Sequence, residues 1–307
     1  MITSSNEVLI STNGLTKQFG EQTSVDNVDL QINRGQIFGF LGPNGAGKTT
    51  TIRMLLGLMK PTKGEVKLFD KSFNNNRLDI LRKVGALVEA PSYYRNLTGY
   101  ENLKISSEIL GVTKQRIDEV LEIVRLTEVS DKKVKQYSLG MKQRLGIALA
   151  LLGSPELLIL DEPTNGLDPS GIHEIRQLIK RMPRDFGITV LISSHNLAEI
   201  EMVASHVGII QSGKLKFHGT LEELKGDNKP LVEIKVNQPA KAKEILMQQQ
   251  VHAQIKGDML FVENFDGPVY SINTKLVSNG FEVSHLVEKV QTLEEIFLDL
   301  TGREGAL

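Results

Sequence analysis

The stretch GPNGAGKTT, residues 42–50, constrains this chain more than any other feature. It matches the spacing G-x-x-x-x-G-K-[ST], with an apolar run before it and a helical pattern after it. Glycines let successive backbone N–H groups point into one concavity, and a helix start adds its positive dipole end. The spacing therefore predicts a phosphate-binding loop, with Lys48 neutralising phosphate charge and the Thr49 hydroxyl offered to Mg²⁺.

Two acidic residues end a second aliphatic run, LLILDEP, at residues 157–163. Asp161 falls at the carboxyl end of a predicted strand, where ligands bind in open α/β sheets, and can hold Mg²⁺ there. Glu162 suits a general base, because proton acceptance needs a carboxylate within reach of the attacking water. A polar loop after a core strand is the alternative for this run, and the phosphate loop favours the catalytic interpretation.

A third signal is YSLGMKQRLGIALALL, residues 137–152. Ser138 is placed as a helix cap with Gly140 close behind it, which predicts a second anion-binding helix start. A simple P-loop kinase or GTPase has no need of one. The arrangement makes sense if this helix start meets a phosphate held by another subunit.

Composition excludes several classes of function. The chain has no cysteine, so a disulfide framework, an iron–sulfur cluster and a thiol nucleophile are ruled out. Its 36 basic and 37 acidic side chains argue against binding nucleic acid through bulk charge. Neither a targeting segment nor a run of about 20 apolar residues is found, so any role at a membrane is expected to need a partner chain.

The pattern along the chain predicts two domains. Strand-like runs at 35–41, 84–88, 157–160 and 188–192 alternate with helical patterns, which predicts a parallel α/β core. Residues 1–225 are assigned to this domain, including a helical lobe at about 86–154. A linker at 226–229 then precedes a small accessory α+β domain at 230–307, which shows no catalytic constellation.

These motifs, with NGLDP at 165–169 and SSH at 193–195, resemble an ATP-binding-cassette (ABC) ATPase, specifically a transporter nucleotide-binding subunit. The match spans about residues 7–225 and is most similar to the bacitracin-export and lantibiotic-protection group. The C-terminal TLEEIFLDLTG is also typical of that wider group. The resemblance implies an α/β P-loop NTPase fold of the ABC type, with antiparallel β and helical subdomains.

The resemblance also implies roles for individual residues, with ATP and Mg²⁺ as cofactors. Catalysis would rest on Glu162, His195 and Lys48, and the metal on Thr49, Asp161 and Glu89. Phe19 resembles the aromatic that stacks on adenine. The nucleotide phosphates would lie on Gly42, Pro43, Asn44, Gly45, Ala46, Gly47, Lys48, Thr49 and Thr50.

In this family two cassettes pair head to tail around two ATPs. The resemblance therefore assigns Ser138 and Gly140 to the partner's nucleotide and Asp168 to cross-dimer communication. Two departures from the family pattern stand out. Leu139 and Met141 replace a glycine and the glutamine of the usual L-S-G-G-Q signature, and Glu89 stands where most relatives carry glutamine.

The resulting hypothesis is an ATP-hydrolysing subunit at the cytoplasmic face of the cell membrane. It would power export of, or resistance to, a peptide antibiotic such as bacitracin or a lantibiotic. Its expected partners are a separate membrane-spanning permease and a second copy of this chain, without nucleic acid. The alternatives are an ATPase of another export or import system, a soluble cassette protein acting on ribosomes or DNA, and a regulatory module that no longer hydrolyses ATP.

Overall fold

The computed structural model describes residues 7–88, 93–226, 231–263, 265, 267–289 and 292–301. These residues form two compact units that divide between Leu221 and Glu222. The short helix at the division spans Leu221–Lys225. Of the predicted linker at 226–229, only Gly226 lies within the described residues.

The first unit interleaves strands and helices throughout its length. The strands are β1 (Val8–Phe19), β2 (Gln22–Val28), β3 (Gln31–Asn33), β4 (Ile37–Leu41), β5 (Lys63–Leu68), β6 (Lys71–Ser72), β7 (Val84–Leu87), β8 (Leu157–Asp161), β9 (Thr189–Ser194), β10 (His206–Gln211) and β11 (Lys214–Thr220). The helices are α1 (Lys48–Leu55), α2 (Phe73–Leu81), α3 (Gly99–Leu110), α4 (Lys114–Ile123), α5 (Leu139–Leu151), α6 (Pro169–Phe186) and α7 (Leu197–Glu201), and the helix at the division is α8 (Leu221–Lys225).

A six-stranded sheet in the order β11-β10-β4-β9-β8-β7 forms the centre of this unit. Its strands run parallel except β11, which is antiparallel to β10. Every residue of β4, β8 and β9 is buried, as expected for strands covered on both faces. Because these three strands are neighbours and parallel, the segments that follow them meet at one edge of the sheet.

A second, antiparallel sheet in the order β2-β1-β5-β6, with β3 paired to β1, belongs to the same unit. Helix α1 packs beside it and shares its core, in which Ile52 and Leu55 join Leu15, Leu68 and Ile159. Truncating one such buried aliphatic side chain to alanine costs roughly 2–5 kcal/mol. The end of α1 that leads back to residues 42–47 is therefore fixed by a well-packed core.

Residues 99–151 hold most of the predicted helical lobe, in α3, α4 and α5 with two short 3₁₀ turns at Thr127–Val129 and Val134–Gln136. Helix α3 begins at a capping box, in which Thr98 and Glu101 each accept a backbone N–H from the other. Gly111, at φ 67°, ends it in the left-handed conformation that suits glycine. No described helix is long and apolar enough to cross a lipid bilayer.

The second unit has its own core and a βαββαβ chain order followed by a last helix. Its elements are β12 (Leu231–Val236), α9 (Pro239–Gln248), β13 (Ala253–Lys256), β14 (Met259–Val262), α10 (Val269–Ser278), β15 (Val283–Lys289) and α11 (Leu293–Thr301). The strands form an antiparallel sheet in the order β13-β14-β12-β15. Val232 and Ile234 pack against Leu246 and Leu276 of α9 and α10, so an α+β unit is observed.

Candidate functional site

The loop between β4 and α1 requires glycine at several points. Gly45 and Gly47 have φ of 80° and 110°, a backbone region that side chains disfavour. A Cβ on Gly47 would lie 2.6 Å from the Ser24 carbonyl oxygen, and one on Gly42 would lie 2.3 Å from the Ile210 carbonyl oxygen. Gly47 is the N-cap of α1 and supplies no side-chain cap, so the first N–H groups of the helix are available to an anion.

Lys48 folds back over this loop and is only 6% exposed. Its Nζ donates to the carbonyl oxygens of Gly42 at 2.6 Å and Pro43 at 3.2 Å. The same Nζ lies 3.2 Å from Glu162 Oε1 across the sheet edge. The ammonium group is therefore held at the loop by two carbonyl oxygens and one carboxylate oxygen.

Contacts of Pro43 and Ala46 fix the conformation of the phosphate loop. The Pro43 carbonyl accepts the Ala46 N–H at 3.1 Å as well as the lysine, and the Ala46 side chain is buried in the core of the unit. The Ala46 carbonyl in turn accepts the Gly213 N–H at 3.0 Å. These contacts tie the loop to the turn between β10 and β11, so its curvature is set by the fold.

Thr49 and Asp161 meet at the carboxyl end of β8. Thr49 Oγ1 donates to Asp161 Oδ2 at 2.9 Å, and Ser193 Oγ donates to Asp161 Oδ1 at 2.5 Å. A hydroxyl and a carboxylate oxygen are donors that Mg²⁺ prefers, so this pair fits that ion. Within the described residues no group of three or more His, Asp or Glu side chains forms a metal site, so water or a ligand would complete the coordination.

Glu162 lies between the loop and the segment that follows β9. Its Oε2 is 2.8 Å from His195 Nδ1, and its Oε1 faces Lys48. Within the described part of the chain Oε1 makes no hydrogen bond of acceptable geometry, so the lysine contact is a charge–charge contact only. A buried carboxylate oxygen with an open lone pair is suited to accept a proton.

A cleft of about 330 Å³ opens over these groups. Its lining combines the loop with the start of β2, through Gln22, Ser24, Asn44, Gly45, Gly47, Lys48, Thr49, Thr50 and Glu162. Phe19 does not line this cleft but pairs with Gln22 across the β1–β2 hairpin. Its ring is 47% exposed and carries Lys17 Nζ at 5.2 Å from the centroid. Phe19 therefore lies beside Gln22 of the cleft lining, and about half of its surface is exposed.

Ser138, Gly140 and Asp168 lie together at a second surface. Ser138 caps α5 by accepting the Met141 N–H at 3.2 Å, and Asp168 caps α6 by accepting the Gly171 N–H at 3.2 Å. A Cβ on Gly140 would lie 3.8 Å from Gly171 Cα, so the two helix starts are adjacent. The three residues are not part of the cleft lining, and the structure does not bring them to the phosphate loop of the same chain.

Several polar contacts at the site lack a local sequence signal. Ser24 Oγ donates to Thr50 Oγ1 at 3.2 Å, and the Thr164 hydroxyl donates to the Glu199 carboxylate. Ser193 contacts both Asp161 and Glu162 although it belongs to another strand. These pairs are distant in sequence, so only the fold reveals them. Glu89, predicted as a metal contact, lies outside the described residues.

Comparison with known proteins places this geometry in a family context. A family model described as ABC transporter matches residues 25–165. The chain is 47% identical over 302 residues to the bacitracin transport ATP-binding protein BcrA of Bacillus licheniformis, covering 96% of this chain and 97% of that protein. It is 43% identical over 207 residues to the lantibiotic transport ATP-binding protein SrtF of Streptococcus pyogenes, covering 67% of this chain and 89% of that protein.

A solved structure gives the same result at the level of the fold. The dimeric structure of MJ0796, a bacterial ABC transporter cassette, is similar with a TM-score of 0.63 at 27% sequence identity. The similarity covers 70% of this chain and 99% of that one. The expectation of an α/β P-loop NTPase fold is confirmed.

Proposed function

The chain belongs to the ABC transporter family of ATP-binding proteins, and we propose that it powers export of a peptide antibiotic through a separate membrane subunit. Members of this family are ATPases, so this chain is an ATPase coupled to transport. The observation that carries the mechanism is that Lys48, Thr49 and Glu162 line one cleft. Asp161 contacts Thr49, and His195 contacts Glu162.

Phosphate recognition is assigned to residues 42–50. The uncapped start of α1 would supply backbone N–H groups to the phosphates, and Lys48 would move from the loop carbonyls to the β and γ phosphates. Thr49 and Asp161 would hold Mg²⁺, which neutralises phosphate charge when bound. Phe19 supports adenine through its exposed ring beside the cleft.

Hydrolysis is assigned to Glu162. Its carboxylate would take a proton from water as the water oxygen bonds to the γ phosphorus and the bond to the bridging oxygen breaks. ADP and phosphate result. His195 Nδ1 would donate to Glu162 Oε2, so it would orient the carboxylate, and it is proposed to contact the γ phosphate. Lys48 holds a positive charge beside the same group.

A second copy of the chain would complete each site. Ser138, Gly140 and Asp168 share one surface away from the phosphate loop, as expected if they serve the nucleotide of a partner. The similar cassette MJ0796 has a dimeric structure, which supports a head-to-tail pair here. Such a pair would sandwich two ATPs between the loop of one chain and residues 138–140 of the other.

The proposed cargo and location are supported by the relatives. Near full-length identity of 47% to a bacitracin transport protein, and 43% to a lantibiotic transport protein over two thirds of the chain, support a cyclic or modified peptide antibiotic. A membrane-spanning permease would select the cargo and hold this subunit at the cytoplasmic face of the membrane. Glu89 is proposed to contact the metal or the attacking water and to communicate with that permease.

Two measurements test this proposal. The chain expressed together with its membrane-spanning permease should raise the bacitracin tolerance of a sensitive host, and Glu162→Gln should abolish the gain. The purified Glu162→Gln chain should bind ATP normally but lose about 10³-fold in turnover, since the proton acceptor is removed. Glu108→Gln, an exposed acid on α3, is the matched control. Normal turnover by Glu162→Gln would remove Glu162 from the base role.

A further inference from the structure

Ser193 connects the two acids that end β8. It is fully buried, and it pairs with Asp161 in the parallel register of β8 and β9. Its hydroxyl donates to Asp161 Oδ1 at 2.5 Å and accepts the Glu162 backbone N–H at 2.9 Å. One side chain therefore fixes the carboxylate of the first acid and the backbone of the second.

The backbone of Glu162 needs such a partner. Its φ of 50° places a non-glycine residue in the left-handed region, which is uncommon for a residue with a long side chain. This conformation accompanies a carboxylate that faces Lys48 and His195 in the cleft. The Glu162 N–H donates to Ser193 Oγ, and the Glu162 carbonyl accepts the Asn165 N–H at 3.1 Å, so Ser193 is the side chain that helps to hold this backbone.

Ser194 shows that this arrangement is specific to one of two adjacent serines. The Ser194 hydroxyl accepts the Asn196 N–H at 3.0 Å and lies 3.5 Å from Glu199, so it serves the start of α7. Side chains alternate along a strand, and the two hydroxyls therefore reach different segments. Ser193 faces β8 and its two acids.

We propose that Ser193 is a positioning residue for ATP hydrolysis, whose hydroxyl fixes Asp161 and Glu162 in the arrangement that turnover requires. The inference rests on the proposed roles of those two acids. Ser193 is not part of the cleft lining, so it acts through them and not by contact with nucleotide. It also occupies Asp161 Oδ1, which leaves Oδ2 directed at Thr49.

The test is Ser193→Ala in the full-length chain, measured by steady-state ATP hydrolysis and by direct binding of MgATP. We expect kcat to fall about 10- to 100-fold, since a small misplacement of a catalytic group has effects of this size. The KM and Kd for ATP should stay within about threefold, because the phosphate loop is intact. Ser193→Thr keeps the hydroxyl and should recover most of kcat.

Thr189→Val is the matched control at the other end of β9. Thr189 is also fully buried, and its Oγ1 accepts the Gly35 N–H at 2.8 Å. The control loses a comparable buried hydrogen bond, so it should lower Tm by a similar amount. Its kcat should stay within about twofold of the parent, because Thr189 is remote from the acids.

The outcomes separate this inference from the proposed function. A normal kcat for Ser193→Ala, with a Tm shift like that of Thr189→Val, would overturn the positioning role. If the alanine variant does not fold, Ser193→Cys gives the same test with a weak donor of similar size, and a normal kcat has the same meaning. Absence of ATPase activity in the parent, or full activity in Glu162→Gln, would instead refute the proposed function itself.

Discussion

Helices α1 and α5 are both predicted to bind phosphate at their N-termini, but the chain completes these N-termini differently. At α1 the N-cap is Gly47, which has no side chain to accept an N–H. At α5 the N-cap is Ser138, whose Oγ accepts the Met141 N–H. A side-chain cap typically stabilises a helix by about 1 kcal/mol. The chain forgoes that stabilisation at α1, where the proposed phosphate would supply the missing acceptor, and keeps it at α5.

The difference indicates which phosphate-binding groups the chain itself places at each helix N-terminus. The start of α1 is surrounded by Lys48, Thr49 and Glu162, so a phosphate bound there meets a cation and a proton acceptor from the same chain. At the start of α5 one N–H, that of Met141, is already accepted by Ser138, but a hydroxyl that accepts one N–H still has its own proton to donate. Ser138 is exposed and can offer that proton to a phosphate held by another molecule.

The largest effect is expected from Lys48→Ala, which removes the cation from the uncapped helix start. ATP affinity should fall about 100-fold or more, because charge-assisted contacts with the phosphates are lost. Titration of the purified chain with a fluorescent ATP analogue measures this. Lys104→Ala, an exposed lysine on α3, is the control. Unchanged affinity in Lys48→Ala would mean that the nucleotide binds elsewhere.

A smaller and different effect is expected from Ser138→Ala. Affinity for ATP in the isolated chain should stay within about twofold, and turnover should fall roughly tenfold as one donor to the developing charge is removed.

Mixing the Ser138→Ala and Lys48→Ala variants tests whether each ATP site is formed by two chains. Mixed pairs contain one intact site, so turnover above that of either variant alone is expected. Failure of the mixture to regain turnover would contradict a site shared between two chains.

Much of this site could be predicted from sequence because its parts follow buried strands. Asp161, Glu162 and His195 directly follow or end aliphatic runs, and parallel neighbouring strands bring such ends together. The glycines of the loop could also be predicted from the motif, because loop positions with a positive φ favour glycine. These site residues could therefore be predicted from the local pattern of strand, loop and helix.

The remaining contacts depend on register between distant segments. Ser193 reads as one more residue of a buried strand, and only its pairing with Asp161 reveals its two hydrogen bonds. Strand β13 has Ala253 as its sole buried residue, so no alternation of buried and exposed positions marks this strand in the sequence. Phe19 gives no local signal either, since an exposed aromatic at a strand end fits many roles.

The smallest effect is expected from Glu101→Ala in α3. The N-terminus of α3 is closed by the capping box of Thr98 and Glu101 and binds no ligand in the proposed mechanism. Hydrogen bonds from the Thr98 backbone and side chain lower the pKa of Glu101 below 4.5. A carboxyl whose pKa is lowered by folding stabilises the folded chain above its unfolded pKa, and that contribution is lost as pH falls through the folded value. Glu101→Ala should therefore lower Tm at pH 7 by about 2 °C, and this gap should narrow as pH falls below the ordinary pKa range of glutamate. ATP affinity and turnover at pH 7 should be unchanged, in contrast to Lys48→Ala.

A large loss of ATP binding in Glu101→Ala would show that a helix start need not be uncapped to serve the nucleotide. That result would remove the distinction between α1 and the capped helices. A gap in Tm that persists at pH 3 would instead show that Glu101 stabilises α3 by packing and not through its charge.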